Sequence, residues 1–336
     1  MPKANTYFKW VLNTYFKWVF IFIILSIIIL LYTYNRDLIL KPIKRINISQ
    51  SFYKKIHNDI IQFHFSNSSI IEMPNKKNLY GLNVRCINYK IVNGKAQINN
   101  GKIISLNKFL FLDNNFRLYD DNIYDDNLNI DKEFVGIEDI RLYNDRGELY
   151  YSGSYYDISS NTMKISNNKY TMRNGRLDLI PNIIQVDFKT KYNTEKNWSY
   201  FDYKNDKYVV YQWYPLKICK IINNRLKEIE TKEMPPEFEK VSGSSCGVIY
   251  KNNIWFIVHL RNNSYYHHFV CFDTSMNLIK YSEPFHFEKY GIEFALSFII
   301  RDDIIIIPYT VDDTKLILGV YDTNYIINEI HYTKLL

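Results

Sequence analysis

Beyond residue 75 the chain alternates between short polar clusters and runs rich in aromatic and β-branched residues. Asn144 to Gly147 precedes Glu148 to Tyr156, Lys204 to Lys207 precedes Tyr208 to Tyr214, Lys251 to Asn253 precedes Ile254 to Leu260, and Arg301 to Asp303 precedes Ile304 to Thr310. Each cluster reads as a turn and each run as a strand, because branched and aromatic side chains suit a pleated, half-buried surface. The motif recurs at about 50 to 60 residues, the spacing of four-stranded propeller blades. After the N-terminal apolar run no helix-length stretch keeps apolar residues at a period of 3.6, which leaves little room for a doubly wound α/β fold. The expected class is all-β: a five-bladed β-propeller, with a β-sandwich as the alternative, since both use short strands and regular turns.

At the N-terminus the pattern is different. Trp18 to Tyr34 is uncharged and rich in Ile, Leu, Phe and Val, with Lys17 before it and Arg36 and Asp37 after it. That length suits a bilayer core, and Trp18, Tyr32 and Tyr34 fall where interfacial aromatics belong. No A-x-A cleavage site follows, so the run reads as one transmembrane helix, an uncleaved signal anchor at 18–34. Asn-Thr-Tyr-Phe-Lys-Trp-Val occurs twice, at Asn5 to Val11 in the tail, 1–17, and at Asn13 to Val19, which runs from the tail into the anchor, a local duplication whose content suits a membrane interface. Basic residues flank the run on both sides. The sequons at Asn47, Asn67, Asn197 and Asn262 favour a type II, single-pass arrangement with the C-terminal part lumenal or extracytoplasmic. Residues 35–74 then read as a stalk and first strand, Pro74 to Asn78 as a turn, and 75–336 as the propeller domain.

Composition fits an ordered β protein, with hydrophobic residues at 47%, aromatics at 17%, and only 11 Gly and 9 Pro, too few for a disordered or fibrous chain. The net charge of +7 comes from scattered basic residues, so no nucleic-acid partner is expected. Cys86, Cys219, Cys246 and Cys271 contain no close pair, which excludes zinc and thioredoxin-type motifs and leaves room for one or two disulfides in a lumenal setting. Glycine-rich phosphate loops, a Gly-x-Ser-x-Gly elbow, His-Glu-x-x-His and Asp-x-Asp are all missing, so neither cofactor nor metal is expected. His267 and His268 are neighbours on one strand and point to opposite faces. The acidic segments Asp120 to Asn122 and Asp125 to Asn127 read as a solvated loop.

The chemistry concentrates in Gly136-Ile137-Glu138-Asp139-Ile140-Arg141, which runs into the turn at Asn144 to Gly147 and the aromatic strand beyond. Period-two alternation places Asp139 and Arg141 on one face of a strand, beside a hairpin turn. Such a pair is either an ion pair that ties down the sheet or an acid held for chemistry.

The segment resembles the Gly-x-Glu-Asp-Pro-Arg signature of the β-mannoside phosphorylases of glycoside hydrolase family 130 and the related β-1,2-mannosyltransferases, with Ile140 in place of the proline. That resemblance implies a five-bladed propeller with a central sugar site. It implies an acid/base role for Asp139 within the Glu138-Asp139-x-Arg141 motif, with Arg141 and Arg85 orienting sugar hydroxyls. Lys196 in Glu-Lys-Asn-Trp, followed by Asn197, resembles a phosphate-contacting lysine. Asp313 resembles an aspartate that closes the site, and Ser242 to Gly247 with His259 resembles a Gly-rich turn and His-bearing strand. Gln212 and Trp213 stand where a phosphorylase would present a phosphate-binding histidine. The implied activity is a membrane-anchored glycosyltransferase that joins a sugar donor, either a sugar phosphate or a nucleotide sugar, to a glycan acceptor. A phosphorylase or hydrolase on the same scaffold and a non-catalytic glycan-binding propeller are the alternatives.

Overall fold

The computed structural model describes residues 15–25, 38–56, 58–74, 76, 78–92, 95–98, 101–125, 128, 134–190, 193–262 and 264–334. The chain divides into two compact units, Met1–Leu38 and Ile39–Leu336.

The described part of the first unit is a helix over residues 15–25. At 1.5 Å per residue it reaches about 16 Å, half the roughly 30 Å of a bilayer core. Residues 26–34 of the expected anchor, and most of the duplicated heptapeptide, lie outside the described residues. Among the described residues no helix is long and apolar enough to cross a membrane. The expected transmembrane helix, and with it the single-pass type II localisation, is therefore corrected: an apolar run of spanning length is not by itself a spanning helix.

The second unit is all-β. Its turns follow directly from the polar clusters in the sequence. Arg146-Gly147, Asn174-Gly175, Lys204-Asn205, Asn223-Asn224 and Lys251-Asn252 each link two antiparallel strands by a two-residue loop with both residues at positive φ. This is the geometry whose twist matches that of a hairpin, and Asn and Gly adopt it at low cost. The Asn-rich composition thus has a structural use.

The chain lays its sheets down one after another. A six-stranded sheet is built on Asp59–Glu72, Leu79–Ile87 and Ile103–Asp113, and a three-stranded sheet on Ile137–Asp145, Glu148–Asp157 and Thr162–Lys169. A five-stranded sheet spans Ser199–Tyr203 to Arg225–Lys232, and an eight-stranded sheet centres on Asn253–Asn262 and Ser264–Phe272. A second five-stranded sheet, on Ile304–Val311 and Lys315–Asp322, is completed by Lys44–Asn47 from near the start of the unit. Residues 44–72 thereby supply three strands of the compact unit, where the sequence suggested a stalk and first strand. Leu118–Tyr124, expected as part of a loop, pairs with Ile103–Asp113.

Among the described residues the sheets have eight, six, five, five, three and twice two strands, a curled all-β arrangement of unequal sheets. The regular five-bladed propeller behind a membrane helix is corrected to this. Only the central hairpin of each sheet carries the aromatic periodicity. Short edge strands such as Phe134–Val135, Val241–Gly243 and Glu293–Ala295 give no such signal.

The core runs as seams between successive sheets. Phe109 of the first sheet packs with Ile137, Ile140 and Tyr151 of the second, and Tyr143 and Ile165 of the second pack with Trp198, Tyr200 and Val209 of the third. Trp213 of the third meets Phe256 and Phe272 of the fourth at 5.4 and 6.2 Å between ring centroids. Leu316 and Leu318 of the last sheet pack back on Phe63, Phe65 and Val84 of the first. These four seams lock successive sheets together, which gives firm support for the side chains that point into the space between them.

Candidate active site

Gly136 sets the geometry of the central motif. Its φ is +84°, and a Cβ there would lie 2.0 Å from the carbonyl oxygen of Ser105, so both the angle and the space demand glycine. Two residues later the strand bulges. Glu138 pairs with Ser154 and Arg141 with Ser152, so three steps on one strand match two on the other, and Asp139 adopts a φ of +49°. A bulge of this kind re-aims a side chain. Regular alternation, which grouped Asp139 with Arg141, is replaced by a register in which Glu138 and Arg141 share the face of Ser154 and Ser152.

Freed from the ladder, Asp139 meets two donors. Its Oδ1 accepts from Asn67 Nδ2 at 2.9 Å and from Arg85 Nη1 at 3.0 Å, while Oδ2 receives no hydrogen bond from the described residues. Burial opposes its ionisation, but Arg85, the Asn67 hydrogen bond and Arg141 outweigh burial and hold the carboxyl below the usual carboxylate range. Arg85 is itself pinned: Nε donates to Ser105 Oγ at 2.8 Å and Nη2 pairs with Glu138 Oε1 at 2.8 Å. Glu138 stands behind Arg85, and its burial raises its pKa against the pull of that guanidinium.

Arg141 is buried and does not reach the cavity wall. Its Nη2 donates to Asn197 Oδ1 at 3.1 Å and Gly243 O at 3.3 Å, Nη1 donates to Asp139 O at 3.3 Å, and Nε donates to Ser244 O. It therefore fastens the bulge to the Ser242 to Ser244 segment. Gly243 is needed at that junction, because a Cβ would stand 2.5 Å from Asn197 O.

Around Asp139 lies a cavity of about 410 Å³, walled among others by Arg85, Lys196, Asn197, His259 and Asp313. Arg85 comes from the first sheet, Asp139 from the second, the Lys196-Asn197 segment leads into the third, His259 sits on the fourth, and Asp313 follows Ile304–Val311 of the fifth. Five of the residues expected around Asp139 thus line one space, and the other two, Glu138 and Arg141, brace it from behind. Burial pushes Asp313 up to about 6, with Arg85 pulling the other way and Asp139, Asp312 and Glu138 adding to the rise. His259 is neutral: burial, then Arg141 and Lys196, lower it to about 3, and Nδ1 shares a 2.8 Å hydrogen bond with Ser244 Oγ.

A second, smaller cavity of about 110 Å³ adjoins the first through Lys196, Asn197 and Ser242, and is lined also by Trp198, Tyr211, Gln212 and Trp213. Gln212 turns its Nε2 onto Tyr214 O at 2.6 Å. Among the described residues no group of three or more His, Cys, Asp or Glu could hold a metal ion, and the four cysteines form no disulfide with one another.

Sequence reasoning missed the role of Asn67, seen only as a sequon, and of Tyr265, Arg261 and Phe294 in the wall. A signal for Asn67 existed. Ser66-Asn67-Ser68-Ser69 is a run of four small polar residues inside a long strand, all of them buried, and buried polar groups in a strand call for partners.

No family model and no curated protein matches the sequence. Solved structures do. β-1,2-Mannobiose phosphorylase from Listeria innocua is 13% identical with a TM-score of 0.55, over 84% of this chain and 99% of that one. A structure from the GH130 family of mannoside phosphorylases, described with glycoside hydrolases that target β-1,2 mannosidic linkages in Candida mannan, is 11% identical with a TM-score of 0.58, over 86% and 97%. A glycosyl hydrolase from Bacteroides ovatus is 12% identical with a TM-score of 0.55, over 82% and 89%. The structural neighbours are therefore mannoside phosphorylases of the family whose motif the sequence resembles, together with glycoside hydrolases, and the chain shares their fold.

Proposed function

We propose that this chain is a carbohydrate-active enzyme that transfers a mannose-type glycosyl group, with Asp139 as the ionised acid/base carboxylate at the reacting centre. The observation that carries this reading is the bulge itself. It puts a non-glycine residue at a positive φ, and so presents to a cavity that also holds Arg85, Lys196, Asn197, His259 and Asp313 one carboxylate oxygen that no described residue hydrogen-bonds. A carboxylate oxygen that faces a cavity and receives no hydrogen bond from the described residues is a cost that a purely structural ion pair would not need.

In this mechanism an acceptor oxygen attacks C1 of the donor sugar from one face while the leaving oxygen departs from the other, and Asp139 takes the acceptor's proton. Arg85 keeps Asp139 charged, and Arg141 acts as a positioning residue through Gly243, Ser244 and Asn197. Tyr265 and Phe294 offer aromatic faces to a sugar ring. The adjoining cavity gives room for a second ring, with Lys196 and Asn197 at the junction.

Transfer to a sugar hydroxyl is favoured over phosphorolysis, because Gln212 and Trp213 line the second cavity where a phosphate-binding histidine was looked for, and Gln212 is occupied by Tyr214 O. Lys196, exposed at the junction of the two cavities, supports phosphorolysis as the second reading.

The test is a product screen of the full chain with mannose 1-phosphate, GDP-mannose and β-1,2-mannobiose, with and without inorganic phosphate, beside Asp139→Asn. Transfer from an activated donor, lost in the variant, is expected. Phosphate-dependent release of mannose 1-phosphate would move the assignment to a phosphorylase. Absence of turnover with every donor, in folded protein, would overturn the enzymatic reading.

A further inference from the structure

The connection between Leu79–Ile87 and Ile103–Asp113 of the first sheet has structure of its own. Tyr89–Val92 and Lys95–Ile98 pair as a hairpin that, among the described residues, joins no other sheet. Its base is fixed. The buried Asn88 donates Nδ2 to Lys102 O at 2.9 Å and accepts Ile104 N on Oδ1 at 2.9 Å, which ties the outgoing chain to the returning one where the hairpin leaves the sheet. Beyond that point the hairpin stands by itself.

Direct pairing fixes its two sides. Tyr89 lies opposite Ile98 and Ile91 opposite Ala96, and such partners project to the same side. That side therefore carries Tyr89, Ile91, Ala96 and Ile98, while Lys90, Val92 and Gln97 take the other. The first side is the one turned to the sugar cavity: Ile91 lines it, and Tyr89 stands within electrostatic reach of Arg85 and Asp313. Ile98, 38% exposed, carries the apolar side outward.

Isoleucine does little for a sugar ring. Its branched chain neither donates nor accepts a hydrogen bond, and it lacks the flat face on which a ring stacks. Yet the cavity wall holds two. Ile292 also lines it, and its carbonyl accepts Asp312 N at 2.8 Å, which ties it to the Asp312-Asp313 turn. A hydroxyl-rich ring laid on Ile91 and Ile292 would give up water without finding a partner, whereas an alkyl or aryl group gains by leaving water there.

We infer that this hairpin is the acceptor-recognition element of the cavity, with Ile91 as its specificity-determining residue, and that the acceptor is a sugar whose anomeric oxygen carries an apolar group, alkyl or aryl. That group rests on Ile91 and Ile292 and runs out along Ile98. The role of acceptor rests on the glycosyl-transfer reading above; the binding does not depend on turnover.

The experiment is a calorimetric titration of the full chain with methyl, butyl and hexyl β-mannoside, and with 1-hexanol, for wild type, Ile91→Asn, Ile292→Asn and Val92→Asn. In wild type the Kd is expected to fall about threefold for each methylene that reaches the isoleucines, the effect of taking one methylene out of water. Ile91→Asn and Ile292→Asn should each weaken the hexyl glycoside about tenfold and leave the methyl glycoside within about twofold. Val92→Asn, on the other side of the same hairpin, should follow wild type. 1-Hexanol should not bind measurably, because the sugar supplies the polar contacts. A flat series in wild type, a series as steep in Ile91→Asn as in wild type, or 1-hexanol binding as tightly as hexyl β-mannoside would each overturn the inference.

The product screen, run on the same protein, keeps this inference apart from the reading it deepens. A steep series without turnover of any donor upholds the site for an apolar glycoside and removes the transfer reading. Turnover with a flat series does the reverse.

Discussion

Asn67 donates its Nδ2 hydrogen to Asp139 Oδ1 over 2.9 Å, while its own Oδ1 accepts the Thr310 hydroxyl at 2.6 Å. The second bond settles the first, because an amide whose oxygen is taken can present only its NH2 to the carboxylate. Strands from the first and last sheets thereby cooperate on a residue of the second.

Asn67→Ala removes a donor that favours the charged form of Asp139, so the pKa of Asp139 is expected to rise. The limb of the pH profile that reports its ionisation shifts to higher pH by about one unit, in line with the roughly 1.5 kcal/mol of a hydrogen bond to a charged group. A pH profile of the variant checks this. An unmoved limb would mean that Asn67 only fills space.

Gly136→Ala is expected to be the costliest single methyl in the motif. A left-handed angle costs an alanine about 1 kcal/mol, and the added Cβ would lie 2.0 Å from Ser105 O, which forces backbone to move. A loss of at least about 3 kcal/mol follows, or several degrees in Tm. Because Ser105 Oγ holds Arg85 Nε, activity should fall further than stability alone explains. Thermal denaturation and kcat/KM measured on the same preparation separate the two effects.

Much of this site was legible before the structure. Asp139 could be singled out because two adjacent acids and an arginine interrupt a strand-forming run, whereas Arg85, Lys196, Asn197, His259 and Asp313 were expected only through the resemblance to the mannoside phosphorylases. What could not be read was the bulge. Sequence shows a two-residue alternation through Ile137 to Leu142, whereas the extra residue depends on Gly136 lying against Ser105, a contact between positions 31 residues apart. Arg141 was assigned to substrate for the same reason, when the register turns it onto Gly243, Ser244 and Asn197. The anchor assignment at 18–34 failed differently. Hydropathy measures what a segment can tolerate, and the helix described there covers only residues 15–25.

The two aspartates of the cavity have opposite effects on stability against pH. Asp139 lies below its unfolded pKa, so its stabilising share is present at neutral pH and lost as the pH falls through the folded value. Asp313 lies above it, at about 6, so its share is present below about pH 4 and is lost as the pH rises to 6. Above pH 6 the ionised Asp313 is a burden, which partial exposure to water reduces to about 1 kcal/mol. Asp313→Asn cannot ionise. It is expected to match wild type in Tm at pH 4 and to exceed it by about 2 °C at pH 7.5. A variant less stable than wild type at pH 7.5 would show that Asp313 is tied into the fold.

His259 provides the control for any pH limb near 6. A histidine in a sugar cavity invites the assumption that it titrates there, since an unperturbed imidazole does so at about 6.5. Here burial and the positive charges of Arg141 and Lys196 lower it to about 3, and the ring packs edge to face on Phe294 at 4.8 Å between centroids. Its imidazole should stay neutral from pH 5 to 8 in nitrogen-15 spectra. His259→Gln should weaken substrate binding, seen in KM, while leaving the position of the limb unchanged. A limb near pH 6 that moves in His259→Gln would give the titration to the histidine.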